Sequence, residues 1–406
     1  MPTVRPFTGL LYEPAVAGDM SVLTAPPYDQ VSPPEARRLR QASSYNIVRL
    51  DLGNTSAAGD PSARHARAGR LLAEWRVLGV LTTTEAPSVY PYEMRFLHDG
   101  DTRRLRGVIA AVDLEPWGGG IIPHERTLIG PVEDRLELLR NVHANLSAIY
   151  AVFEGPSPAL GHLLDAVMIT PPARHVLDEA GTAHSLWVAP DLAEEVATAL
   201  AAETLMIADG HHRYAVALAF REQMRAEFGA GPWDQVMMLI VDAGTENPLV
   251  LPFHRVVGTV VDPPRASRRV RDLQEILAGI RDEDPVVGMA SRENGELTHR
   301  LVPLDGPAPA VSGLHAQILP DLPEGTLRYV PDAVEAEERV RGGAAGAFFL
   351  PSMTVARVRS TVLSGNRLPE KSTYFWPKPR TGMVIRPHDS SLRGAVTHGS
   401  SDRLDA

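Results

Sequence analysis

The chain contains no cysteine. That excludes disulfides, thiolate metal centres and thiol nucleophiles, and leaves any catalysis to His, carboxylates, Lys, Arg, Ser or Thr. No run of about 18 apolar residues occurs, and Met1-Pro2-Thr3-Val4-Arg5-Pro6-Phe7 lacks the apolar core of a signal peptide. The expectation is a cytoplasmic protein with no membrane partner. Positive charge is also in short supply: 40 Lys and Arg stand against 50 Asp and Glu, a formal net charge of −10. A surface that holds nucleic acid by its phosphates needs clustered cations, so nucleic acid is not expected as a partner, although a local basic pocket stays open. Familiar motifs are missing too. There is no Gly-x-x-x-x-Gly-Lys-Ser/Thr loop, no Gly-x-Gly-x-x-Gly after a strand, no His-Glu-x-x-His and no Gly-x-Ser-x-Gly elbow. Gly118-Gly119-Gly120 lacks the helix start that a phosphate cradle requires.

What is present reads as a mixed α/β (α+β) protein with several mixed sheets flanked by helices. Ser32-Pro33-Pro34-Glu35 is a capping box with proline at the first helical position, which predicts a helix to about Gln41. Asn46 to Asp51 reads as a strand. Ala68, Leu71, Leu72, Trp75 and Leu78 form one helical face, and strands are expected at Val89 to Phe96 and Arg106 to Leu114. Gly130-Pro131 opens another helix, followed by a strand at Ser147 to Phe153. A hairpin around Glu179 to Thr182, a helix from about Asp191 to Ala202, and strands near Val236 to Val241 and Pro248 to Leu251 continue the pattern. After Pro263-Pro264, Arg265 to Ile280 reads as a charged amphipathic helix. The expected organisation is an N-terminal α/β region (1–155), an anion- or nucleotide-binding region (156–262), a C-terminal α+β lobe (263–386) and a disordered tail (387–406).

The strongest chemical signal is Leu205-Met206-Ile207-Ala208-Asp209-Gly210-His211-His212-Arg213-Tyr214. An apolar strand ends in an acid and a glycine, and Tyr214, Ala217, Leu218 and Arg221 then recur at helical spacing. The N–H groups at such a helix start point outward, and the helix dipole favours an anion there by roughly 0.3–1 kcal/mol. Arg213 and two imidazoles add donors, so a phosphate or carboxylate suits the place. Two further apolar runs end in a histidine closely followed by arginine: Ile121-Ile122-Pro123-His124-Glu125-Arg126 and Leu249-Val250-Leu251-Pro252-Phe253-His254-Arg255. Strand ends are where α/β proteins usually meet ligands. The competing reading is that each pair bridges locally. Pro26-Pro27-Tyr28-Asp29 offers a phenol and a carboxylate on a rigid turn, or simply a capped turn. Lys371-Ser372-Thr373-Tyr374-Phe375-Trp376-Pro377-Lys378 offers Lys371 and Lys378 to phosphate oxygens and aromatics that either stack on a ring or fill a half-buried strand.

Taken in order, Pro26-Pro27-Tyr28-Asp29, Asn46 to Leu50, Pro123 to Thr127, Asp134-Arg135, Ala144 to Ser147, Ile207 to Tyr214 and Lys371 to Phe375 resemble the motif set of a bacterial and archaeal family, domain of unknown function 1015, over about residues 5–386. That resemblance implies no activity. The segment around 204–228 is also similar to the phosphate-binding motif of the ParB and sulfiredoxin superfamily, which includes partition proteins, a peroxiredoxin-repairing phosphotransferase and kinases acting on free serine. It implies a core of that kind here, in which Gly210 allows close approach, His211, His212 and Arg213 contact phosphates, and Asp209 orients the turn or a Mg²⁺ ion. Sulfiredoxin chemistry needs a cysteine where His211 stands, and DNA partitioning needs a basic helix-turn-helix, so neither is expected.

What survives is transfer of a phosphoryl group from ATP or ADP, with Mg²⁺, to a small hydroxylated metabolite such as serine. Phosphates fall to Asp209, Gly210, His211, His212, Arg213, Arg126 and Lys371, and acceptor contacts to Tyr28, His254 and Arg255. Glu125, with Asp29 second, is the expected general base, beside His124. Two alternatives stand: a metal-dependent hydrolase or isomerase built on Asp209, His211, His212 and His124, and a non-catalytic protein that binds an anionic metabolite.

Overall fold

The computed structural model describes residues 2–53, 61–125, 130–306, 309–320, 322 and 325–388. Arg126 and the tail from 389 onward lie outside the described residues. The chain divides into two compact units, the first made of residues 1–122, 128–247 and 377–406, the second of 123–127 and 248–376. The architecture is mixed α/β, as the alternation of sequence periods indicates. Among the described residues, no helix is long and apolar enough to cross a membrane.

Unit 1 is organised by a nine-stranded sheet in the order Ile121–Pro123, Leu205–Asp209, Ile149–Phe153, Gln235–Asp242, Asp101–Asp113, Tyr90–His98, Ala183–Leu186, Arg174–Leu177, with Val4–Arg5 paired to Asp101–Asp113. Ile149–Phe153 lies parallel to Gln235–Asp242 and antiparallel to Leu205–Asp209. Its five residues are all buried, which explains why it reads as a continuous apolar run. Ile149, Ala151, Leu205, Ile207, Met238 and Ile240 share one core with Tyr214 and Ala217 of the helix His211–Phe228. The other flank of that helix, Val216, Phe220 and Met224, packs on Leu136 and Leu139 of the helix Gly130–Val142.

Unit 2 carries a six-stranded antiparallel sheet, ordered Arg268–Val270, Glu296–Pro303, Val286–Glu293, Gly346–Phe349, His254–Val257, Leu327–Val330. A separate ribbon pairs Leu249–Leu251 with Tyr374–Trp376.

Two expected elements are corrected. Asn46 to Asp51 is a helical turn, Val48–Asp51, rather than a strand. Asn46 Oδ1 accepts the Val48 N–H at 2.9 Å, while Ile47, Val48 and Leu50 are each at most 1% exposed. Burial on every side removes the alternation by which a strand is told from a helix, and the asparagine cap decides the outcome. Arg265 to Ile280 is not one helix. Arg268–Val270 pairs with Glu296–Pro303 as an edge strand, and the helix starts only at Leu273, where Asp272 accepts the Glu275 N–H at 2.9 Å.

Candidate functional site

The strand Leu205–Asp209 slips register against Ile149–Phe153 between Ile207 and Asp209. A bulge of this kind re-aims the side chain that follows it. Gly210 then adopts φ +100° and starts the 18-residue helix His211–Phe228. Glycine is required on two grounds: the backbone is left-handed, and a Cβ there would lie 3.0 Å from Arg213 Nε and Nη2.

Arg213 is locked. Its Nη2 donates to Asp209 Oδ2 at 2.7 Å, and its Nη1 donates to Ser147 Oγ at 3.0 Å and Ala148 O at 2.6 Å. The other Asp209 oxygen accepts from Lys378 Nζ, which also lies 3.6 Å from Asp29 Oδ2. Residues distant in sequence thus form one alternating row, Asp29, Lys378, Asp209, Arg213.

A second charged row lies alongside. Arg135 donates to Asp51 Oδ1 at 3.1 Å, Asp51 O at 2.8 Å and Asp134 Oδ2 at 2.8 Å, with its guanidinium 4.5 Å from the Tyr28 ring centroid. Burial raises the Asp51 carboxyl from its ordinary value, and Arg135 and Arg213 offset only part of that. Asp134 is also penalised by burial, yet Arg135 and Arg64 hold it below its ordinary value. The Tyr28 phenol is pushed up to about 12 by burial, with Arg213 and Arg135 pulling the other way. It is therefore a neutral donor at physiological pH. A cavity of about 70 Å³ is lined by Tyr28, Asp51, Arg135, Ser147, Arg213 and Val216.

Tyr28, Asp29, Asp209, Gly210 and Arg213, expected from the sequence, belong to this locus in unit 1. His211 and His212 open the helix, the first buried and the second half-buried. Glu125, His124, His254, Arg255 and Lys371 belong to unit 2. There the Glu125 carboxylate accepts the N–H groups of Lys371, Ser372 and Thr373 at 3.0–3.3 Å and the Thr373 hydroxyl at 2.9 Å. His124 Nε2 lies 2.6 Å from that hydroxyl. Lys371 has φ +51° and stands 5.7 Å from the Phe253 ring centroid. Arg255 is fully buried, donates to the carbonyls of Phe253, Lys371 and Glu370, and is drawn down to about 10 by desolvation. His254 Nδ1 accepts the Leu350 N–H at 3.2 Å, and burial lowers its pKa to about 4.

Asp51, Arg135 and Ser147 take no role in the sequence reading, although Arg135 and Ser147 fall inside motifs that resemble the family's. The sequence offers Lys371 and Lys378 alike as phosphate lysines, and it is Lys378 that meets Asp209. Among the described residues, no three His, Asp or Glu side chains are grouped to hold a metal ion. The arrangement can do two things: present fixed cations beside a helix start, and offer carboxylates next to them for proton or cation handling.

The family model for a protein of unknown function, DUF1015, matches residues 4–306, and the chain belongs to that family. No curated protein matches it. Among solved structures, it is similar to a single-residue variant of a free serine kinase in complex with ADP, at 14% identity over 63% of this chain and 83% of that one, with a TM-score of 0.36. A conserved hypothetical protein from Pyrococcus furiosus matches at 15% identity, 63% and 86% coverage and a TM-score of 0.34. C-terminally truncated SbnI from Staphylococcus aureus matches at 10% identity, 72% and 90% coverage and a TM-score of 0.36.

Proposed function

We propose that unit 1 is a nucleotide-dependent phosphotransferase acting on a small hydroxylated metabolite. The observation that carries this reading is the meeting of Arg213, Lys378, Asp209 and Asp29 at the start of the helix His211–Phe228. Phosphoryl transfer asks mainly for positioning and for cations around the phosphate oxygens. In this reading the first-turn N–H groups, Arg213 and Lys378 take phosphate oxygens, and His211 and His212 add imidazole donors. The ion pairs with Asp209 already fix both cations, which lowers the entropy lost when a phosphate arrives. Mg²⁺ usually binds through one or two carboxylates plus substrate phosphates and neutralises developing charge, and Asp209 fits that donor set.

The acceptor's proton goes to Asp29 in this assignment. Glu125 accepts four hydrogen bonds within unit 2, three of them at Oε1, which engage it in holding Lys371 to Thr373. Tyr28, as a neutral phenol, suits an acceptor hydroxyl or carboxylate. Arg126 and Lys371 stay outside the assignment.

Calorimetric titration with ATP and ADP, each with Mg²⁺, tests it. Arg213→Ala and Lys378→Ala should each weaken binding by about 10- to 100-fold, the worth of one or two charge-assisted hydrogen bonds. Phosphoryl transfer is then sought with hydroxyl acceptors, serine first. Absence of nucleotide binding by the intact protein refutes the reading; binding without turnover on any acceptor leaves an anion-binding protein.

A further inference from the structure

Unit 1 holds a second cavity, of about 340 Å³, whose wall includes four arginines, Arg40, Arg49, Arg64 and Arg67, against one carboxylate, Glu74. Among the described residues, only Arg64 of the four forms an ion pair, with Asp134. Arg40 and Arg49 donate to backbone carbonyls of Gly53, Arg40 and Ser43, which hold them in place without neutralising their charge. Arg67 is exposed and, among the described residues, pairs with no carboxylate. Arg40 Nε is buried without a hydrogen-bond partner. Burial and the neighbouring Arg49 both lower the Arg40 pKa, so the two guanidiniums repel one another. In a chain of net charge −10, four cations around one concavity oppose the overall charge balance.

We propose that this cavity is a binding site for a small phosphorylated metabolite, separate from the site at 209–213. Guanidiniums match phosphate bidentately, and a phosphate would balance the arginines that Glu74 and the Arg64–Asp134 pair leave uncompensated. The volume falls in the range of small-molecule pockets and exceeds what a phosphate group alone needs. Tyr45 and Trp75, with ring centroids 5.9 Å apart, give that extra space an aromatic wall. A concavity of this size with four cations does not follow a nucleic-acid backbone.

The test is calorimetric titration of the full chain with inorganic phosphate and with pyrophosphate at low ionic strength. Three forms are compared: the intact protein, Arg213→Ala, and Arg67→Glu. Saturable binding should persist in Arg213→Ala, and in Arg67→Glu that same component should weaken by about tenfold or more, since one cation becomes an anion. The Arg67 side chain is exposed and, among the described residues, makes no hydrogen bond, so this variant keeps the fold, which circular dichroism checks. Its titration with ATP and Mg²⁺ should match that of the intact protein. The proposal is overturned if neither probe binds, if binding vanishes in Arg213→Ala but is unchanged in Arg67→Glu, or if Arg67→Glu loses nucleotide and phosphate together.

Discussion

Gly210→Ala probes the link between backbone and site most directly. A methyl group at φ +100° costs about 1–2 kcal/mol in backbone strain alone. It would also stand 3.0 Å from Arg213 Nε and Nη2. The guanidinium cannot yield freely, because Asp209, Ser147 and Ala148 all hold it. Giving up one charged hydrogen bond adds about 1.5–3 kcal/mol. The sum is a loss of about 2.5–5 kcal/mol. The control is Gly100→Ala in the Asp99-Gly100 turn, where φ is +86° and an added methyl would meet nothing within 4 Å; it should lose only about 1–2 kcal/mol. Urea titration of both variants, followed through the transition of unit 1, gives the two values, and nucleotide titration of Gly210→Ala should track the Arg213→Ala defect. The reasoning is refuted if the two glycine variants differ by less than about 0.5 kcal/mol.

Asp29→Asn should lower kcat by about 100- to 10,000-fold while nucleotide affinity stays within a few-fold, the pattern of a lost base; an equal loss in binding would make Asp29 a structural anchor of Lys378 instead. Arg255→Met should destabilise unit 2 by about 3–5 kcal/mol, because the carbonyls of Phe253, Glu370 and Lys371 lose a buried charged donor, and a loss below about 1 kcal/mol by urea titration would contradict this. His254 has its folded pKa lowered to about 4 from 6.5 by burial, so between those values the unfolded chain binds the proton and the folded chain does not. Stability should therefore fall as pH drops from about 6.5 to 4, by up to about 3 kcal/mol from this residue, and His254→Gln should flatten that slope.

Local signals are the legible ones. A strand, a glycine and a helix in immediate succession can be read from residue types alone, and Leu205–Asp209 and His211–Phe228 lie where that reading puts them. The partners of the site cannot be read so. Arg135 meets Asp51 across 84 positions, and Lys378 meets Asp209 across 169. No periodicity encodes such a pair. Asp51 is doubly hidden, since it closes the helical turn that its apolar neighbours disguise as a strand. Glu125 illustrates the converse: an acid at a strand end looks poised for chemistry, yet a carboxylate that accepts three backbone N–H groups reads identically in sequence.

Lys378 also imposes an order of events during protein synthesis. Asp29 and Asp209 emerge first, but the lysine they share belongs to the segment from 377 onward, after the whole stretch 248–376. At about 5–20 residues per second, that stretch takes roughly 6–26 s to translate. Throughout that interval the nascent chain carries both acids without their common cation, so the row of charges closes only once residues beyond unit 2 have left the ribosome.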